Sequence, residues 1–157
     1  MWTTLRNGRA VEIRSIRADD KARLAAGHAR LSPETQRRRY LSAKPRLTAN
    51  DLRYLTEVDG HDHAALVAVL PEQPEIIVAV GRFVRLAGDP EAAEFAIVVG
   101  DPLQGRGLGT LLARELAAAA RATGIRRFAA TMLGDNDAVR RLMATISPLD
   151  RLDGLDD

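Results

Sequence analysis

The chain has 157 residues and a mass of 17.1 kDa, which fits one domain with its own core. Apolar residues make up 46% and charged residues 28%, and cysteine is absent, which excludes a disordered chain, a disulfide scaffold, a thiolate metal site and a cysteine nucleophile. A net charge of +2 and 4% aromatic residues argue against nucleic acid; no apolar run approaches the roughly 20 residues of a membrane span, and the start Met1-Trp2-Thr3-Thr4-Leu5-Arg6 lacks a secretory signal, so a cytoplasmic protein without a membrane partner is expected.

Residues 11–16 alternate apolar and polar side chains, which predicts a half-buried strand. Asp19 predicts a cap for a helix reaching about Leu31, with Leu24, His28 and Leu31 along one face. Ser32-Pro33-Glu34 opens a second helix: a Ser cap, Pro at the first helical position, then an acid at the positive end. Thr48-Ala49-Asn50-Asp51 opens a third through a capping box with Asp in the place of Glu, and its Leu52 and Leu55 point inward. The period then changes. Residues 63–70, 75–86 and 92–100 are β-rich runs broken by Pro71, Pro74, Gly88 and Pro90. Ile76-Ile77-Val78-Ala79-Val80 is apolar on both parities, as in a central strand covered on both faces. A glycine-rich turn over 101–110 leads into a helix over 108–123 that ends at Gly124, with Leu108, Leu111, Leu112, Leu116 and Ala119 as its buried stripe. Residues 126–133 read as a strand. Residues 136–146 read as a last helix with Val139, Leu142, Met143 and Ile146 on its core face, stopped by Ser147-Pro148. Three consecutive strands favour antiparallel hairpins, and the strand–helix–strand order over 92–133 demands a parallel crossover. The fold class is therefore α/β: one mixed sheet with helices on both faces.

Gln104-Gly105-Arg106-Gly107-Leu108-Gly109-Thr110 joins an apolar strand to an amphipathic helix. Three glycines at alternate positions let the backbone reach positive φ and approach a ligand closely. The first N–H groups of the helix lack internal partners, and the helix dipole adds partial positive charge there, so the turn is a candidate cradle for phosphate or pyrophosphate. Neither GxGxxG nor GxxxxGK[ST] is met, because Thr110 stands where the last glycine of the dinucleotide fingerprint would fall. A turn that needs glycine only to enter a helix is the structural alternative.

Gln104-x-x-Gly107-x-Gly109, preceded by Phe95-Ala96-Ile97-Val98-Val99, resembles the acetyl-CoA signature of the Gcn5-related N-acetyltransferase (GNAT) family. Leu31-Ser32-Pro33-Glu34-Thr35, Leu55-Thr56-Glu57-Val58-Asp59, Ala65-Leu66-Val67-Ala68-Val69 and Ala93-Glu94-Phe95-Ala96 are similar to the catalytic domain of bacterial protein lysine acetyltransferases. The resemblance covers about residues 10–145. It implies a GNAT-like fold and acetyl-CoA as cofactor. Backbone groups of Ile97, Val98 and Val99 would pair with the pantetheine amides, and the loop amides of Gln104, Gly105, Arg106, Gly107, Leu108, Gly109 and Thr110 would hold the pyrophosphate. Asn136 matches a position whose side chain meets the pantetheine arm, though a helix cap also explains it. For Arg106, contact with a cofactor phosphate and a solvent-facing loop position both stand.

A neutral amine must attack the thioester, so a base has to take the ammonium proton. Glu94, flanked by Ala93 and Phe95 and expected in apolar surroundings, corresponds to the proposed catalytic glutamate of the lysine-acetylating group. His61-Asp62-His63 lies in a turn with no third ligand nearby, so no metal site is expected. Arg37-Arg38-Arg39-Tyr40 reads as a solvated helix face rather than a docking surface. The family fold usually continues with further strands after the last helix, whereas here a GNAT domain over 1–146 is followed by a polar tail over 147–157 without a β-branched residue. The Tyr that many members use as general acid has no counterpart there, since Tyr40 and Tyr54 lie far upstream. Missing final strands would leave a bare sheet edge, which invites a homodimer. The expected activity is N-acetyl transfer to a primary amine, a protein lysine or a small-molecule amine. The alternative is a CoA-binding interaction domain without catalysis.

Overall fold

The computed structural model describes residues 2–4, 8–29, 47–100 and 107–130. The expected helix from Ser32, the Arg37–Tyr40 run, Gln104, Gly105, Arg106, Asn136, the last helix and the tail lie outside these residues. Among the described residues six strands form one sheet in sequence order: β1 (Trp2–Thr4), β2 (Ala10–Ser15), β3 (His63–Leu70), β4 (Gln73–Leu86), β5 (Asp89–Val99) and β6 (Arg127–Ala130). The pairs from β1 to β5 are antiparallel and β5–β6 is parallel, with α3 (Leu108–Ala122) as the crossover, which is the mixed sheet expected from the element order. A single 3₁₀ turn (Ala18–Asp20) leads into α1 (Lys21–Ala29), and α2 (Ala49–Thr56) follows later in the chain.

Local chemistry explains most of the boundaries. Thr48 Oγ1 accepts from the Asp51 amide at 3.1 Å while the Thr48 amide donates to the Asp51 carboxylate at 2.9 Å, so the capping box opens α2 as read. At α1 the reading needs correction. The acid that closes the first turn is Asp20 rather than Asp19, its Oδ2 accepting from the Arg17 amide at 2.7 Å. Pro74 and Pro90 fall inside β4 and β5 instead of bounding them. Each is the second residue of its strand and sits beside a register shift, where a missing N–H is tolerated. Strand β1 carries no sequence signal because three residues are too few to show a period.

Helices cover both faces. On one, Leu108, Leu112, Leu116, Ala117 and Ala120 of α3 pack against Ala79, Phe83, Ala93, Phe95 and Phe128. The buried stripe ends on Ala120, and Ala119 is exposed, because positions 108, 112, 116 and 120 repeat every four residues along one side of the helix. On the other face, Leu24 of α1 and Leu55 of α2 pack with Ala65, Val67, Val69, Ile77 and Val80. The contact of α1 is close: a Cβ on Gly27 would stand 2.1 Å from the Ile77 carbonyl oxygen.

Between these layers β4 carries a bulge. Ala68 pairs with Ala79 and Val69 with Ile77, so Val78 is the extra residue. Its carbonyl accepts from the Gly100 amide at 2.8 Å, and a Cβ on Gly100 would meet that oxygen at 3.0 Å. The bulge thereby fixes the point at which β5 ends.

Candidate active site

Strand β5 carries the expected site residues on two faces. Phe95 and Ile97 face α3, whereas Val98 packs with the core beneath α1 and α2, and alternation puts Glu94 on that second side. Ile97, Val98 and Val99 are half-buried and pair with Gly81, Val80 and Ala79 of β4. The parallel ladder with β6 runs from Ala92 to Phe95, so residues 96–99 reach beyond the described part of β6.

The N-terminus of α3 lies beside that strand end, since Leu108 and Leu112 share one cluster with Ile97 and Val99. Gly107 is the N-cap at φ +89°, a left-handed conformation that strains any residue with a Cβ. Helix geometry leaves the amides of Leu108, Gly109 and Thr110 without an acceptor inside the helix. The dipole adds partial positive charge at the same place. These features fit a diphosphate: bare donors, favourable charge, and no side chain at the cap. Of the expected cradle, Gly107, Leu108, Gly109 and Thr110 are described.

Glu94 pairs with Val84 on β4 and Ala129 on β6. Its side chain is exposed, which corrects the apolar surroundings expected from the sequence. Alternation sends Ala93 and Phe95 into the opposite core, so the two apolar neighbours in sequence do not enclose it.

The His61-Asp62-His63 triplet divides. Asp62 contacts His61 Nδ1 at 2.9 Å and accepts from Arg85 Nε at 2.8 Å, and these partners hold its carboxyl below the usual range. Asp59 accepts from the amides of His63, His61 and Asp62, which brings its pKa down to about 2 and closes the turn before β3. His63 turns the other way: its Nε2 lies 2.7 Å from Arg82 Nη1, and its ring packs against Tyr54 with centroids 4.9 Å apart. Arg82 is 4% exposed, and its Nη1 also donates to the Leu55 carbonyl at 3.0 Å. Sequence reading passed over Arg82. The signal was a cation at core parity, two residues from Val80 and Val84 in an otherwise apolar run. Among the described residues no three acidic or histidine side chains are placed to hold a metal ion, and no helix is long and apolar enough to cross a membrane.

Residues 31–145 match the model of the Acetyltransferase (GNAT) family. The chain is 38% identical over 140 residues to "Acetyltransferase Pat" of Mycolicibacterium smegmatis, covering 88% of this chain and 41% of that one. It is 31% identical over 144 residues to "Acetyltransferase PA5475" of Pseudomonas aeruginosa, covering 91% and 77%. The crystal structure of the GNAT domain of S. lividans PAT superposes with a TM-score of 0.85 at 33% identity, over 92% of this chain and 85% of that one. The chain thus spans about two fifths of the M. smegmatis relative. With its family model matched across the capped helix and both flanking strands, the chain belongs to the GNAT family of acetyltransferases.

Proposed function

We propose that this protein transfers the acetyl group of acetyl-CoA to a primary amine, with a protein lysine as the acceptor and Glu94 as the base. One observation carries the reading: a single strand holds Glu94 and, three to five residues on, the backbone expected to grip the pantetheine arm, and it ends against the Gly107-capped helix. A carboxylate and a thioester held by the same strand keep a fixed spacing, and positioning of that kind supplies much of the rate in acyl transfer. Relatives named as Pat and its GNAT domain favour the lysine acceptor.

Bound acetyl-CoA supplies an activated acyl carbon. The amides of Leu108, Gly109 and Thr110 would hold its diphosphate together with those of Gln104, Gly105, Arg106 and Gly107, and Asn136 would meet the arm. Ile97, Val98 and Val99 orient the limb that bears the thioester. A carboxylate oxygen of Glu94 accepts one proton from the incoming ammonium, and exposure lets it return that proton to solvent before the next turnover.

Glu94→Gln keeps the size of the side chain and removes its basicity. Thiol release from acetyl-CoA with a lysine-containing protein should fall by about 100-fold near neutral pH, while acetyl-CoA affinity measured by calorimetry changes by less than about twofold. Wild-type turnover in the variant removes Glu94 from the mechanism. Tight acetyl-CoA binding by the unmodified chain with no thiol release on any amine would instead make it a CoA-binding module.

A further inference from the structure

Two large aromatic side chains stand exposed among the described residues, Trp2 at 61% and Tyr54 at 59%. Trp2 lies on β1, with three strands between it and β5. Tyr54 belongs to the same face of the sheet as Glu94. His63, Val84 and Glu94 form one row across β3, β4 and β5. That row shares a face with Ala65, Val67 and Val80, which pack with Leu55 of α2. The ring of Tyr54, the residue before Leu55, meets the ring of His63 with centroids 4.9 Å apart. Tyr54 and His63 thus stand at one end of the row and Glu94 at the other, with half-buried Val84 between them. Directly opposed residues lie about 5 Å apart, so the row spans on the order of 10 Å, roughly three residues of extended chain.

Tyr54 is held as well as exposed. Arg82 Nη1 donates to the Leu55 carbonyl at 3.0 Å and lies 2.7 Å from His63 Nε2, so one buried guanidinium fixes both the turn of α2 that carries Tyr54 and the ring that backs it. An aromatic ring fixed in place before a partner arrives loses little freedom on binding, which makes it a low-cost anchor. Charge selects the partner. Glu94 is exposed at one end of the row; at the other, Asp59 is an exposed carboxylate that accepts from the uncharged amides of His61, Asp62 and His63. A carboxylate at each end, with aliphatic and aromatic surface between, fits a basic segment. The four-carbon stem of a lysine lies along apolar surface while its ammonium stays at the polar end.

We infer that Tyr54 is the docking residue for the acceptor protein: the reacting lysine crosses Val84 to reach Glu94, and the basic segment that carries it rests on the exposed ring of Tyr54. The inference rests on a protein lysine being the acceptor and Glu94 the base. The expected cofactor positions run along β5 from Ile97 toward the N-terminus of α3, whereas this row runs across the strands, so cofactor and acceptor take separate paths to Glu94.

Poly-L-lysine and Nα-acetyl-lysine amide, the second a lysine without neighbours, serve as acceptors in a thiol-release assay. Tyr54→Ala should raise the KM for polylysine by about five- to tenfold, with kcat, acetyl-CoA affinity and the KM for the single lysine each within about twofold of the parent. Tyr54→Phe keeps the ring and should restore most of the polylysine KM, and Trp2→Ala, the exposed aromatic off this face, should leave it unchanged. An unmoved polylysine KM in Tyr54→Ala overturns the inference, as does an equal rise for both acceptors, which a merely structural role would produce. If the parent turns over polylysine alone, that KM decides by itself. If Tyr54→Ala does not fold, Tyr54→Leu, which still covers His63, takes its place with the same outcomes. A parent chain that binds acetyl-CoA and releases thiol with neither acceptor overturns the lysine reading and this inference with it, whereas normal parent turnover with an unmoved KM in the Tyr54 variants sinks this inference alone.

Discussion

Asp20 has no exposed surface, and it accepts from both terminal nitrogens of Arg14 at 2.8 Å, from the Arg17 amide at 2.7 Å and from Arg23 at 3.2 Å. Burial alone pushes its pKa up. The hydrogen bonds from Arg14 and the Arg17 amide, with the charges of both arginines, outweigh that and hold it below the usual carboxylate range. Asp20→Ala strands Arg14 beside an empty site and should reduce stability by about 3–5 kcal/mol. Asp19→Ala, one residue earlier and largely exposed, should change it by less than about 0.5 kcal/mol. Urea denaturation of the two variants makes the comparison, and equal losses would contradict it. From sequence the cap falls on Asp19, not on Asp20 beside it. What separates them is Arg14, on a different element, and no local pattern shows where that guanidinium ends up. Arg82 and Glu94 were obscure for the same reason. A cation inside an apolar run looks like a strand that turns toward solvent, and Glu94 between two apolar neighbours looks enclosed until the pleat separates them.

At the scale of elements, helix-to-sheet contact depends on what the facing glycines admit. Gly27 lies within α1, where alanine is ordinarily the better helix former by about 0.8–1.0 kcal/mol. Its Cβ would nevertheless meet backbone, the Ile77 carbonyl at 2.1 Å, and backbone in the middle of a sheet has nowhere to go. Gly81 on the same strand faces α3, where a Cβ would find Ile97, Leu112 and Leu116 at 3.5 to 3.6 Å, an ordinary contact. Gly27→Ala should therefore reduce stability by about 3 kcal/mol and Gly81→Ala by less than about 1 kcal/mol, read from urea midpoints. A Gly27→Ala protein as stable as the parent would show that α1 does not sit so close. Elements whose signals are local were legible. The Thr48 capping box is complete within four residues, and the hairpin strands announce themselves as β-rich runs broken at Pro71 and Gly88. Crossover and parallel pairing followed from element order. The bulge at Val78 was not legible, because a bulge is a relation between two strands and one strand's sequence does not contain it.

Acid response belongs to the whole molecule, because the carboxylates that respond are spread over the turn before α1, the α2–β3 connection and the β3–β4 turn and share one direction. Asp20, Glu57, Asp59, Asp62 and Glu72 all lie below their ordinary values. The physical causes differ. Glu57 and Glu72 are held by Lys21 and Arg9 at the surface, Asp62 by His61 and Arg85, Asp59 by three backbone amides, and Asp20, itself buried, by the half-buried Arg14 and the Arg17 amide. A lowered carboxylate binds fewer protons folded than unfolded, so its stabilisation is complete above the unfolded value and is lost as pH falls toward the folded one. With ordinary values of 3.8 and 4.5 and Asp59 reaching about 2, the loss spans that interval. Urea midpoints should be flat from about pH 7 to about pH 5 and then fall continuously toward pH 2. High salt screens the exposed pairs, so it should flatten the part due to Glu57 and Glu72. It should leave the part due to Asp59, whose partners are uncharged amides, and to Asp20, which salt does not reach. The acid limb should therefore persist in reduced form at high ionic strength. A limb abolished by salt would mean that surface pairs alone account for it, and that the arginines gathered on buried Asp20 do not hold the fold as their geometry implies.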